Sequence, residues 1–326
     1  MENKFIIHVG YPKTGSKTLQ KHVFTNLDSV HNASWYWPES SMGKSATPKT
    51  VVNARSEMIE NPNLKEWYEM LVSNSTGEEE IRKKTKEVIE SISSKTDKPI
   101  LLSYEKLTGI YGVSLRQRAA RLKSALPHSE IIIVIRSQVD MLRSLYDYLP
   151  YDPREGEYPS KRRIITFDSF VDIWLSDNDL RESFNFHNTT QIYKDLFGES
   201  VTIIPFEGLF SLDDKPLSAF ADVLKIPKET LATLLRNKHE NEASSVRLHK
   251  VRSIYYALTF GTPVHRILPR RIQELLVTVL NRHSPSLKTR VDDFPGTKRK
   301  IEEAYEYCNR KLDEQISVEL STYGYY

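Results

Sequence analysis

The sequence predicts an α/β fold, with a central parallel sheet flanked by helices. Three features of the chain point to it. Short apolar runs recur along its length, and they are continuous where a half-exposed strand would alternate apolar and polar residues. Between them lie segments whose apolar residues repeat at three- and four-residue steps, the period of a helix packed on one side. Gly and Pro punctuate the junctions.

The elements follow in order. Phe5 to Val9 is the first apolar run, broken by Gly10, Pro12 and Gly15. Ser16 to Leu27 then takes helical spacing. Ile100 to Ser103, entered through Pro99, is the second run, and Ile131 to Ile135, β-branched throughout, is the third. Val201 to Ile204 is the fourth, preceded by Gly198, a helix terminator. Helical patterns run through Ile81, Thr85, Val88, Ile89 and Ile92, and through Leu115, Ala119, Leu122 and Leu126. Ile301, Tyr305, Cys308, Leu312, Ile316 and Leu320 predict a long C-terminal helix. Strands separated by helices imply a doubly wound sheet. Val30 to Pro62, Tyr148 to Thr166 and His283 to Thr297 lack clear periodicity and read as loops. The expectation is one domain over residues 1–326, with helical or loop insertions near 30–98 and 148–166.

Composition narrows the class. The chain has 326 residues, of which 39% are hydrophobic and 27% charged, as in a folded globular protein and unlike a disordered one. One cysteine, Cys308, allows neither an intrachain disulfide nor a multi-cysteine zinc site. No apolar run approaches the length of a membrane span, and Met1 to Gly10 lacks the apolar core of a signal peptide. A soluble, cytoplasmic protein is expected. The formal net charge is +3, but Arg236 to Lys300 holds 14 Lys and Arg against 5 Asp and Glu. That basic third suits either solvated helix faces or a surface that meets an anion.

The most informative stretch is Phe5 to Gln20. A buried strand enters a Gly-containing loop that opens a helix rich in Ser, Thr and Lys, an arrangement that cradles anions through backbone N–H groups and the helix dipole. Lys13, Ser16, Lys17 and Thr18 add a charge or a hydroxyl each, and Gly15 suits a left-handed or close-approach position. A nucleotide triphosphatase loop needs Gly, four residues, Gly, Lys, then Ser or Thr. Gly10 and Gly15 have that spacing, but Ser16 stands where the lysine belongs and Lys17 is one place late.

With Lys13 as the key cation, Pro12-Lys13-Thr14-Gly15-Ser16 followed by Lys17, Thr18 and Gln20 resembles the 5′-phosphosulfate-binding loop of sulfotransferases that use 3′-phosphoadenosine 5′-phosphosulfate, PAPS. That family holds the 3′-phosphate with an arginine ending a strand and a serine eight residues on. Here Arg136 ends Ile131 to Ile135, and Ser144 lies eight residues later. Where the family often has Asn-Pro or Asp-Pro, then a second arginine, this chain has Ser137, Gln138 and Met141, with Arg143 close by. Weaker likenesses are Pro99 to Leu107, Val201 to Leu209 with its aromatic-Glu-x-Leu turn, and Phe220 to Pro227.

The resemblance implies a three-layer, P-loop-kinase-like fold and sulfuryl transfer from PAPS, leaving PAP. It implies that Lys13 donates to the bridging oxygen of the breaking bond. Lys13, Thr14, Gly15, Ser16, Lys17, Thr18, Arg136 and Ser144 would bind the cofactor. Glu105, closing a buried strand on the ligand side of the sheet, is the first choice of general base; an ion pair with Lys106 or a helix cap is its other reading. His8 reads as a packed core residue, and His239 and His265 remain unplaced. No metal is required, and the histidines show no paired spacing.

The acceptor stays open between a glycan hydroxyl, a small natural product and a lipid headgroup. Trp35, Tyr36 and Trp37 suit either stacking on an acceptor or a small cluster beneath a loop. Tyr151, Tyr158 and the Lys161-Arg162-Arg163 run sit where acceptor loops often lie in the family. Arg236 to Ser245 or Pro295 to Lys300 can complete the PAPS pocket, and Arg266 to His283 has a basic face beside apolar residues. No nucleic-acid partner and no stable membrane insertion are expected. A nucleotide kinase and a non-enzymatic polyanion-binding protein are the competing readings.

Overall fold

The computed structural model describes residues 5–33, 62–94, 96–108, 112–148, 151–155, 165–236 and 294–326. Five parallel strands form one sheet: β1 (Phe5–Gly10), β2 (His31–Asn32), β3 (Ile100–Tyr104), β4 (Ser129–Ile135) and β5 (Val201–Pro205), in the order β2-β3-β1-β4-β5. Helices cover both faces, so the three-layer α/β architecture is the expected one. The central strands are apolar without alternation because each face has its own core. Ile7, Val9, Leu102, Ile131, Ile133 and Ile203 point into one, and Ile6, Leu101, Ile132, Val134 and Ile204 into the other.

The smaller core is closed by three helical segments. The first is α1 (Ser16–Thr18), which continues as a π turn (Leu19–Val23) and a 3-10 turn (Phe24–Asn26). The others are α10 (Asp214–Leu224) and α11 (Lys228–Leu235). The larger core gathers α2 (Pro62–Val72), α3 (Glu78–Ser93), α4 (Leu115–Ala125), α5 (Gln138–Tyr148), α6 (Phe167–Ser176), α7 (Asn178–Ser183), α8 (Phe186–Phe197) and α12 (Pro295–Asp313). A short helix, α9 (Phe206–Ser211), follows β5 directly.

The differences from the sequence reading have local causes. β2 is two residues long, too short to show a period, and lies in a stretch read as a loop. The C-terminal helix stops at Asp313, with Ile316 and Leu320 beyond it. Those two residues sustain the apolar spacing because the tail folds back on the same core, and Leu320 opens a separate 3-10 turn, Leu320–Tyr323. Pro295 to Lys300, expected in part as a loop, is the first turn and a half of α12, with Pro at its N-terminus where no N–H is missed. Among the described residues no helix is long and apolar enough to cross a membrane.

A buried amide pair ties α5 to α12. Gln138 donates to Asn309 Oδ1 at 2.9 Å, and Asn309 Nδ2 donates to Gln138 Oε1 at 3.0 Å and to the Tyr325 carbonyl at 2.8 Å. Both side chains are buried, so each satisfies a group that would otherwise be stranded. Asn309→Leu is expected to destabilise the fold by about 3 kcal/mol in urea unfolding, because a buried amide and a buried carbonyl lose their partners. Adding Gln138→Leu should recover part of that loss.

Candidate anion-binding active site

The site residues converge at the carboxyl edge of the sheet. In register, Val9 pairs with Tyr104 and Gly10 with Val134, so the chain leaves β1, β3 and β4 side by side. From there α1 turns to one face and α5 to the other. Diverging connections open the crevice in which α/β proteins hold ligands.

The loop after β1 has two residues in the left-handed region, Lys13 at φ 67° and Gly15 at φ 76°. A backbone curled in this way gathers N–H groups on one side, as anion-binding nests do. Gly15 needs its missing Cβ, since one would lie 2.8 Å from the Phe206 ring. Gly10 does too: its Cβ would fall 2.7 Å from Ser16 Oγ. For Lys13 the left-handed turn costs about 1 kcal/mol or more, so contacts elsewhere must impose it.

Three contacts hold the loop. Thr14 donates its hydroxyl to the Tyr11 carbonyl at 2.7 Å, pinning the turn from inside. Tyr11 donates to Thr189 on α8 at 2.6 Å, and its ring packs edge-on against Phe186. Arg136, from the end of β4, donates through Nη1 to the Lys13 carbonyl at 2.9 Å. The two motifs singled out in the sequence therefore touch across 123 residues. Ser16 Oγ, at the start of α1, is buried and has no hydrogen-bond partner among the described residues.

Lys13 is half-buried, and desolvation lowers its pKa from 10.5 to about 8. Glu105 pulls it back up, Lys17 and Arg136 push it further down, and Asp147 pulls it up. The ammonium lies 4.6 Å from the centre of the Tyr148 ring, a cation–π contact, and Tyr148 is 49% exposed. Lys17 is half-buried, Thr18 buried and Ser144 half-buried on α5.

Glu105 opens a 3-10 turn, Glu105–Leu107, directly after β3, and that turn is tied at two points. Thr108 donates to the Gly10 carbonyl at 2.6 Å, and the buried Arg118 donates to the Lys106 carbonyl at 2.8 Å. Glu105 is thus held beside the end of β1. Asp147, a buried carboxylate on α5 that also faces Lys13, is a second candidate base that sequence reasoning missed. His8 is a core residue, as expected. It is fully buried, its Nδ1 lies 2.7 Å from Ser103 Oγ, and burial drives its pKa down to about 3. Gln20 donates to the same hydroxyl at 2.9 Å, fastening the loop helix to β3.

Arg136 is set by its surroundings. Its guanidinium stacks over the Phe206 ring at 4.7 Å, and the half-buried Glu207 faces it. Glu207 accepts from the Ser137 N–H at 3.0 Å and from the Tyr325 hydroxyl at 3.0 Å. Burial raises the Glu207 pKa, while these donors and Arg136 oppose the rise. The aromatic-Glu-x-Leu turn was visible in the sequence, but its service to Arg136 was not, because Phe206 and Glu207 reach Arg136 only once β5 lies beside β4.

Pro295 to Lys300 does not line this crevice. Thr297 bonds Asp168 and Lys300 pairs with Asp172 at 2.8 Å, both acids lying on α6, while Lys298 and Arg299 pair with Glu302 and Glu303 on their own helix. Most of the basic third, residues 237–293, lies outside the described residues, with His239, His265 and the Arg266 to His283 segment. So do Trp35, Tyr36, Trp37, Tyr158 and Lys161-Arg162-Arg163. Among the described residues no three His, Cys, Asp or Glu side chains group to hold a metal.

Lys13 makes a pH-dependent prediction. Its pKa is depressed in the fold, so the unfolded chain binds the proton more tightly. The resulting destabilisation is complete below pH 8 and fades as pH rises from about 8 towards 10.5. Lys13→Met should therefore be more stable than the wild type at neutral pH, with the gap narrowing at alkaline pH in urea titrations. A gap independent of pH would refute the shift.

No family model matches the chain, and neither does any curated protein. Among solved structures, the chain is similar to a sulfotransferase from Alicyclobacillus acidocaldarius, with a TM-score of 0.48 and 12% identity over 99% of this chain and 98% of that one.

Proposed function

We propose that the chain transfers a sulfuryl group from PAPS to a hydroxyl or amine of a glycan or small-molecule acceptor. The observation that carries this reading is the junction of two anion-binding motifs, where Arg136 donates to the carbonyl of Lys13. A cofactor with phosphate at both ends of a nucleoside needs two such seats close together. The residues present fit it: Ser16 Oγ is a buried hydroxyl with no partner among the described residues, and Gly10 keeps the space beside it clear.

In this reading Lys13, Ser16, Lys17 and Thr18, with the loop amides of Thr14 and Gly15, hold the 5′ end. Arg136 and Ser144 hold the 3′-phosphate. When bound, PAPS supplies an activated sulfuryl group for in-line transfer. Lys13 keeps its proton below about pH 8 and can donate it as a hydrogen bond to negative charge developing on the bridging oxygen. Glu105, fixed beside the end of β1, takes the proton of the acceptor hydroxyl or amine. Tyr148, exposed and stacked on Lys13, forms one wall of the approach to that atom.

Thermal-shift measurements should show stabilisation by PAP. Stabilisation by ATP–Mg²⁺ and not by PAP would instead favour a nucleotide kinase and overturn the assignment. In transfer assays Lys13→Ala should lower turnover by about 100-fold or more. Glu105→Gln should lower it by roughly 100-fold. Near-normal turnover of Lys13→Ala would refute the active site; near-normal turnover of Glu105→Gln would refute only the base and shift attention to Asp147.

A further inference from the structure

Asp140 lies between two arginines on the approach to the proposed 3′-phosphate seat. Its Oδ1 is 3.0 Å from Arg143 Nη2 and its Oδ2 is 3.9 Å from Arg136 Nη2. Asp140, Arg143 and Ser144 are three and four residues apart on α5, so they share one face of that helix. One carboxylate thus serves two guanidiniums that together carry ten N–H donors. Arg136 spends Nη1 on the Lys13 carbonyl. The Nε atoms of both Arg136 and Arg143 are buried without a partner among the described residues. Glu207, the other acid facing Arg136, already accepts from Ser137 and Tyr325.

Asp140 and Glu207 together match the two arginines in formal charge, yet guanidinium donors stay unused among the described residues. Asp140 is 36% exposed and meets Arg136 at salt-bridge range only, so an arriving anion can take over its partners. A phosphate dianion matches two guanidinium forks better than one carboxylate does.

We propose that Asp140 is an internal counter-ion occupying the seat of a terminal phosphate, and that Arg143 is the second arginine of that seat. The proposal rests on the PAPS reading above. Asp140 keeps Arg136 and Arg143 from repelling one another while the seat is empty, and it competes with the 3′-phosphate for the same donors. It therefore sets affinity for a nucleotide with that phosphate and not for one without it.

The test compares calorimetric binding of PAP and of 5′-AMP, which lacks the 3′-phosphate, to the full chain. Asp140→Asn should tighten PAP by about threefold to fivefold at low salt, the scale of one partly exposed ion pair, and leave 5′-AMP within twofold. Asp140→Ser should do the same. Arg143→Gln should weaken PAP by roughly tenfold, the scale of a charged hydrogen bond, and spare 5′-AMP. Unfolding curves for each variant confirm that the fold is retained. If both Asp140 variants leave PAP unchanged or weaken it, Asp140 is not a competitor and the inference falls while the PAPS reading stands. If the wild type does not prefer PAP to 5′-AMP, the PAPS reading falls and takes the inference with it.

Discussion

The hydrogen bond from Arg136 to the Lys13 carbonyl is the constraint on which the rest of the site depends. A lysine with positive φ is held against its own preference, and its carbonyl is turned to where a guanidinium can cap it. Arg136 is in turn held between the Phe206 ring and the half-buried Glu207, which caps the start of α5 through the Ser137 N–H. Tyr325 bonds Glu207 and passes its own carbonyl to Asn309. Contacts from α9, α5, α12 and the tail thus all bear on one loop conformation after β1.

This arrangement concentrates like charge. Lys13 and Lys17 gather at the loop, and Arg136 and Arg143 gather beside it, with Glu105, Asp147, Asp140 and Glu207 interleaved. Burial, with Lys17 and Arg136 nearby, still holds the Lys13 pKa below its ordinary value, against the pull of Glu105 and Asp147. A folded state that keeps partly desolvated cations together is less stable than it need be, and an anion relieves the strain. Stability withheld in the free protein is then available as binding energy for a ligand of opposite charge.

Much of the scaffold was legible because its signals are local. The strand runs at Phe5, Ile100, Ile131 and Val201 are continuous because both faces of the sheet are buried, and the Pro12 to Ser16 loop announces itself through residue types fixed by backbone geometry. Less legible were features set by distant contact. The two-residue β2 has no period to read, and Leu320 kept helical spacing through a tail that is not part of α12. Asp147 and Glu207 are single acids in unremarkable sequence, and only packing brings them to Lys13 and Arg136.

The amino-acid sequence by itself determined the α/β class, the order of the main strands, and the candidacy of Lys13, Glu105 and Arg136. Each is encoded within a few residues by hydrophobic period, by glycine position or by a charge closing an apolar run. The tertiary structure decided what those residues do to one another. It joined Arg136 to the Lys13 backbone, turned the Thr14 hydroxyl inward, left Ser16 Oγ without a partner among the described residues, and set Asp140 between two arginines. The reason is physical: pKa, desolvation and hydrogen-bond partnership depend on distances between segments more than a hundred residues apart, and only the packed sheet sets those distances.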